Sequence, residues 1–255
     1  MPYANHEGIR IHYQVDGKGP PLVLLHGFTS NMKSWYQYGY VKALRRDYQL
    51  ILIDARGHGN SDKPHDLTAY AMSLRAGDIG AVLDDLVLRT AHFWGYSMGG
   101  RIGFGLAKYA PERLMSLIVG GMHPYERCLP ASSKLDGSDP DVFVDTLLQR
   151  WNVNPATLSP ERRKEFFNND FQALAAAQQD EPSMEEIIQT MRMPCMLYAG
   201  SADAYYPKVH QCAQVIPKST FFTLDGFDHG TAFREAGLVL PHVTTFLQAV
   251  NEGKT

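Results

Sequence analysis

The chain is short of cysteine, of long apolar runs and of excess charge, and each shortage removes a class of protein. Cys128, Cys195 and Cys212 make an odd set of 3 in 255 residues, with no Cys-x-x-Cys spacing. Free thiols in a reducing, cytoplasmic compartment fit this better than a disulfide framework. Cys195 sits in an apolar run and reads as a small core residue, not a nucleophile. No stretch approaches the roughly 18 apolar residues of a membrane span, and no early segment joins a basic start to an apolar core, so no membrane association is expected. Lys and Arg number 24 against 27 Asp and Glu, a net charge of −3. Nucleic-acid binding needs a basic stripe; Arg45-Arg46 and Arg162-Arg163-Lys164 are short, lie beside acids and read as solvated helix faces. Internal repeats and low-complexity tracts are also lacking. What is present is 44% hydrophobic residues, enough for a sizeable core.

The apolar residues are arranged in a recurring order: a strand-like run, turn residues, then a helix-like stretch. Ile9–Val15 alternates as a half-buried strand does and ends at Asp16-Gly17. Leu22–Leu25, Leu50–Ile53, Ala91–Trp94, Leu117–Val119, Met196–Tyr198 and Thr220–Leu224 follow. The middle runs are short and continuously apolar, as expected of strands buried on both faces of a parallel sheet. Ile79, Val82, Leu83 and Leu86 keep helical spacing, with Thr68 as a candidate cap, and the helix after Ser97 should stop at Pro111. The alternation predicts an α/β fold with a mostly parallel central sheet and helices on both faces.

The rhythm breaks between Gly121 and Pro194, where helix signals occur without a convincing strand. Asp139-Pro140 and Ser159-Pro160 read as a cap followed by a first helical turn, and Ser183-Met184-Glu185-Glu186 as a capping box. A structureless loop of that length is uncommon in a compact domain. The organisation expected is a core of residues 1–121 and 194–255, interrupted by a helical cap, or lid, at 122–193.

Three short motifs fall just after strands. Gly95-Tyr96-Ser97-Met98-Gly99 follows Ala91–Trp94 and opens a helix, so the chain turns sharply with small residues on either side of the serine. The helix N-terminus beneath Ser97 favours developing negative charge. Asp203 follows Met196–Tyr198 through Ala199-Gly200-Ser201-Ala202, and His229 follows the last strand within Gly226-Phe227-Asp228-His229-Gly230. Sites in open α/β sheets assemble at the carboxyl ends of strands. A serine hydroxyl needs a base, and an imidazole base needs an orienting carboxylate. Ser97, His229 and Asp203 are therefore expected to form a catalytic triad. Glu126, beyond Leu117–Val119, is the rival acid. Asp228 adjoins the histidine too closely to reach its ring, and His123, His210 and His242 are weaker bases.

With these motifs the chain resembles the α/β-hydrolase superfamily, in particular small bacterial carboxylesterases and enol-lactone hydrolases. The landmarks are His26-Gly27-Phe28, Asp54 to Ser61, Gly95 to Gly100, Gly200 to Asp203 and Asp228-His229-Gly230, and the likeness covers the chain outside the helical insertion. The resemblance implies an α/β-hydrolase fold and backbone N–H groups of Phe28 and Met98 as the oxyanion hole. It implies cleavage of carboxylic esters of short to medium acyl chains through an acyl-enzyme on Ser97, with lactone hydrolysis or cofactor-free perhydrolysis as alternatives on the same triad. The partner is then a small ester or lactone, and no cofactor or metal is indicated. A single glycine, Gly27, in the first active-site loop makes tertiary-alcohol esters less expected. Dehalogenases and epoxide hydrolases of this fold use an aspartate nucleophile, which Ser97 does not match.

Neighbouring residues take structural readings. His26 braces the oxyanion loop; Arg56 and His58 belong to a turn packed behind the nucleophile; Gly103 and Gly105 let a helix approach the sheet. Tyr96, Met122 and Trp151 are candidate pocket residues. Gly253-Lys254-Thr255 mimics the end of a phosphate loop, but Gln248 stands at its first position. His6-Glu7 lacks the second histidine of a zinc helix, since Arg10 stands there.

Overall fold

The computed structural model describes residues 2–128, 135–151, 159–178 and 182–254, the side chains of Glu161 and Arg162 excepted. The side chain of Arg162 in the basic run and Thr255 of the phosphate-loop mimic thus lie outside the described residues. Among the described residues eight strands form one sheet: β1 (Tyr3–His6), β2 (Ile9–Asp16), β3 (Pro21–Leu25), β4 (Gln49–Ile53), β5 (Ala91–Tyr96), β6 (Leu114–Gly120), β7 (Cys195–Gly200) and β8 (Ser219–Leu224). Their spatial order is β1-β2-β4-β3-β5-β6-β7-β8. The β1–β2 and β2–β4 pairs are antiparallel and the rest parallel. This is the α/β-hydrolase fold anticipated above, with β1 as an unanticipated edge strand.

Alternation along the middle strands builds two cores. Val23, Leu25, Ile51, Ile53, Phe93 and Val119 face one side, packing with α3 (Met72–Asp85), α4 (Met98–Tyr109) and α8 (Tyr206–Val215). Leu22, Leu24, Leu50, Leu52, Trp94 and Tyr198 face the other, against α1 (Lys33–Gln37), α2 (Tyr40–Leu44) and α10 (Ala236–Asn251). Each fully buried aliphatic side chain contributes roughly 1.5–3 kcal/mol. A one-residue slip of register would exchange the two sets, so the register is strongly specified.

The short helix α9 (His229–Arg234) precedes α10. Between β6 and β7 lie α5 (Pro140–Arg150), α6 (Pro160–Phe167), α7 (Phe171–Ala177) and a 3-10 helix at Glu185–Thr190, with no strand among the described residues. Asp139 caps α5 by accepting the Val142 N–H at 3.1 Å, and Pro160 opens α6. Two capping expectations are corrected. Ser183 Oγ accepts the Glu185 N–H at 3.1 Å and starts the 3-10 helix, not an α-helical capping box. Thr68 does not cap α3, which begins after Ala71 with no side-chain cap; Thr68 lies in a preceding 3-10 turn, Leu67–Tyr70, where Asp66 accepts its N–H at 2.8 Å.

A Cβ at Gly103 would lie 2.8 Å from Leu117 and Phe93 side chains, so the helix does approach the sheet there; one at Gly105 would meet Met72 instead, which makes Gly105 a contact between α4 and α3. Among the described residues, no helix is long and apolar enough to cross a membrane.

Candidate active site

Ser97 lies between β5 and α4 with φ 53° and ψ −116°, a left-handed conformation that a side chain rarely adopts. Such strain costs on the order of 1–3 kcal/mol and persists where surroundings over-determine it. Here the Ser97 N–H donates to Gly120 O at 2.8 Å and its carbonyl accepts the Arg101 N–H at 3.0 Å. The turn is so tight that a Cβ on Gly99 would sit 2.3 Å from Leu25 O. The result is a half-buried hydroxyl held clear of the sheet.

The imidazole reaches this hydroxyl from the far end of the chain. His229 Nε2 is 2.8 Å from Ser97 Oγ, and its Nδ1 is 2.7 Å from Asp203 Oδ2. With the proton on Nδ1 donated to the carboxylate, Nε2 is left to accept the serine proton. The Asp203 side chain is 1% exposed and that of His229 31%. The other carboxylate oxygen, Oδ1, accepts the Tyr205 N–H at 2.9 Å. The loops carrying acid and base touch: Ala202 donates to Phe227 O at 3.0 Å, and a Cβ at Gly200 would fall 2.0 Å from that same carbonyl. Glu126, the rival acid, is exposed in the segment after β6. Asp228 serves the backbone instead, capping α9 through a reciprocal box with Thr231 at 2.7 and 2.9 Å.

The first active-site loop passes alongside. A Cβ built at Gly27 would lie 3.4 Å from Ser97 Cβ and 4.0 Å from its Oγ. His26 Nδ1 is 2.8 Å from Gly27 O, its Nε2 accepts the Ala55 N–H at 3.1 Å, and Ser30 N–H donates to Gly27 O at 3.3 Å. Gly27 O and Phe28 N–H belong to one planar trans peptide. Pinning the oxygen on one side therefore aims the Phe28 N–H the opposite way. Met98 opens α4, where first-turn N–H groups have no intrahelical acceptor. Burial lowers the pKa of His26, and lowers that of His58 well below its ordinary value, with the neighbouring His26 adding to the effect on His58. Both are neutral braces: His58 Nδ1 is 3.1 Å from Arg56 O and its ring meets Phe28 edge-on at 5.5 Å. Arg56 Nε donates to Asp78 at 2.6 Å, away from the triad.

The candidate pocket residues are placed differently from one another. Tyr96 is buried beneath the imidazole, its ring 5.4 Å from that of His229 and its hydroxyl donating to His229 O at 2.5 Å. Burial, followed by the neighbouring Tyr198 and Asp203, raises its pKa well above the usual phenol range, so the donor persists. Its contact at this site is with His229. Met122 is 1% exposed within the core that faces α4. Trp151 is 41% exposed, its ring 6.1 Å from Phe166; among the described residues no ring contact joins it to His229.

Three neighbours of the site carried no signal strong enough to be singled out. Tyr205 sets its ring edge-on to His229 at 5.4 Å and accepts a hydrogen bond from Arg127 Nη2 at 2.9 Å. Buried Arg101 donates to His123 O, Tyr125 O and Pro182 O, tying α4 to both ends of the segment between β6 and β7. Asn169, in that segment, reaches Thr29 O at 3.2 Å. The remaining histidines lie elsewhere: His210 stacks on Tyr206 and His242 on Phe222, while His123 is buried against Tyr125 and Tyr205. Among the described residues no group of three or more His, Cys, Asp or Glu is disposed to hold a metal.

The geometry is that of a strand-end serine site, and comparison with known proteins sets its family. The profile of the alpha/beta hydrolase fold matches residues 20–233. The chain belongs to this family. Among α/β hydrolases, it is 28% identical to a fluoroacetate dehalogenase of Burkholderia sp over 62% of the chain and 60% of the relative. It is 36% identical to a pimeloyl-[acyl-carrier protein] methyl ester esterase of Aeromonas hydrophila over 50% and 46%. These matches span about half the length of each of those curated relatives. A Synechocystis sp. chain with the provisional name non-heme chloroperoxidase is 28% identical over 97% of this chain and 100% of its own. Among solved structures, the enol-lactonase of Burkholderia xenovorans LB400 has a TM-score of 0.84 at 23% identity, covering 97% of this chain and 100% of its own. A thermophilic esterase of Thermogutta terrifontis has 0.82 at 21%, covering 98% of each. At these identities the structural likeness establishes the fold.

Proposed function

We propose that the chain is a serine carboxylic-ester hydrolase working through an acyl-enzyme on Ser97. The observation that carries this is the continuous relay Asp203–His229–Ser97 at 2.7 and 2.8 Å, ending on a strained serine. His229 takes the hydroxyl proton as Ser97 Oγ adds to the ester carbonyl. The resulting oxyanion is received by the N–H groups of Phe28 and Met98, each such donor being worth roughly 10²–10³ in turnover. Collapse breaks the carbon–oxygen bond to the alcohol, which leaves with the proton from His229. Water, deprotonated by the same imidazole, then releases the acid and restores Ser97.

Serine chemistry itself separates this reading from the dehalogenase relative. Displacement of halide by Ser97 would leave an alkyl ether, which the relay cannot hydrolyse, whereas an acyl ester on Ser97 is hydrolysed by reversing the first step. The three free thiols, Cys128 exposed among them, support a reducing cytoplasmic setting.

The described residues of the segment at 122–193 serve as a lid over the carboxyl ends of the strands in this reading, supported by the packing of Phe28 against α5 and α7 residues. An enclosed acyl pocket favours short and medium chains: each methylene that fits adds roughly 0.8 kcal/mol, while one that displaces packed side chains costs about 1–3 kcal/mol. A panel of chromogenic esters should show kcat/KM falling beyond about eight carbons. A steady rise to long chains would instead mean an open site. Enol-lactones, and acetate with peroxide, belong in the same panel, because the same relay serves lactone hydrolysis and perhydrolysis. Faster turnover of either would reassign the acyl acceptor or donor without changing the roles of Ser97, His229 and Asp203.

A further inference from the structure

Resting on the reading of Phe28 N–H as an oxyanion donor, we infer that Asn169 is a positioning residue that locks the oxyanion loop from the side of the helical segment. The loop Gly27–Ser30 is held on its sheet side by His26, as described above. Its other side meets the turn between α6 and α7. Asn169 Nδ2 donates to Thr29 O at 3.2 Å while also closing the end of α6 at Phe166 O, 3.0 Å away. Thr29 has φ 63°, a left-handed conformation that is unfavourable for a β-branched residue. Its hydroxyl donates back to Phe28 O at 2.6 Å. Such a conformation lasts only when contacts on both sides impose it, and the Asn169 amide is the contact that the segment supplies to the Thr29 carbonyl.

Two further anchors hold the same turn. Asp170 caps α7 by accepting the Ala173 N–H at 3.0 Å and lies 3.0 Å from His65 Nε2, which fixes the turn to the core before α3. The Phe28 ring packs at once against the sheet core, the α5–α7 cluster and the small cluster of Tyr70, Ala176 and Ala177. The peptide carrying the oxyanion donor is thus clamped between the sheet and the helical segment. The Asn169 amide touches neither Ser97 nor His229, so its effect passes through Thr29 and the Phe28 peptide.

The test compares wild type with Asn169→Ala and the near-isosteric Asn169→Asp, which lacks the donor. Steady-state ester kinetics are read together with the affinity for a trifluoromethyl ketone, which adds to the serine and places an oxyanion in the hole. Loss of one donor outright costs about 10²–10³, so a misaligned donor should lower kcat roughly 5–30-fold. KM should stay within about twofold, since the interaction is made in the transition state. Ketone affinity should fall by a factor similar to that in kcat/KM. Unchanged kcat and ketone affinity in a folded variant would overturn the inference, as would a raised KM with kcat intact. If Asn169→Ala does not fold, Asn169→Asp decides by the same readouts. Ser97→Ala, assayed alongside, separates the two ideas: persistent activity there refutes the serine reading, whereas an inert Ser97→Ala with a fully active Asn169 variant refutes the clamp alone.

Discussion

The turn between β5 and α4 and the segment between β6 and β7 are built on opposite terms. At the first, backbone geometry dictates residue type: Ser97 is in a conformation enforced by hydrogen bonds on both sides, and Gly99 has Leu25 O where a Cβ would go. At the second, geometry is set by a few long-range contacts, such as Arg101 on three carbonyls and Asn169 on Thr29. A local rule of the first kind can be read in a few consecutive letters. A contact of the second kind joins residues that are remote in the chain, and nothing in either neighbourhood announces it.

If the comparison is right, substitutions at strand ends of the core should far outweigh those in the segment. Asp203→Asn is expected to lower kcat by roughly 10³–10⁴, while Glu126→Gln, an exposed carboxylate in the segment, stays within about twofold. Initial-rate kinetics on one activated ester decide it. A larger loss at Glu126 would move the acid into the segment. Gly99→Ala comes next: the added carbon 2.3 Å from Leu25 O requires backbone movement, and overpacking of this kind costs about 1–3 kcal/mol or more. Denaturant titration should show that loss, with activity falling alongside; a stable, fully active variant would mean the turn is looser than described.

At neutral pH a smaller effect is expected at His123, which is 1% exposed and whose pKa is lowered to about 3, first by burial and then by Lys208, Arg101 and Arg127. The unfolded chain takes up a proton near the ordinary histidine value while the folded one does not. The stabilisation of the folded state is therefore complete above about 6.5 and drains away as pH falls toward about 3. One such proton changes stability by about 1.4 kcal/mol per pH unit. His123→Asn should flatten the acid limb of stability against pH, measured by urea unfolding from pH 6.5 downward; an unchanged slope would mean the imidazole is protonated in the fold. Smallest is Trp151→Ala: with 41% of the residue exposed, its loss should leave kcat within about twofold and cost at most about 1 kcal/mol. A large loss of activity would place Trp151 at the pocket.

The sheet was legible because Leu22–Leu25, Leu50–Ile53 and Ala91–Trp94 are short apolar runs between turn residues, and burial on both faces leaves little else for them to be. Strand β1 was not: Tyr-Ala-Asn-His has poor strand propensity and only Ala4 is buried, so pairing with β2 decides it. Ser97, Asp203 and His229 were singled out because each follows a strand, and the fold brings them together at hydrogen-bond distance. The Asp228–Thr231 box was readable in principle from an Asp three residues before a hydroxyl. The contact of Tyr96 with His229 at the start of α9 is a tertiary one, invisible to local pattern.

The central claim is an acyl-enzyme on Ser97, and its most direct test is to trap that species. Rapid quench of an activated short-chain ester, followed by intact-mass and peptide mass spectrometry, should reveal one acyl group per chain on the Ser97 peptide. The adduct should appear with a burst of the alcohol and be absent from Ser97→Ala. An adduct on another residue, or full turnover by Ser97→Ala, would contradict the account.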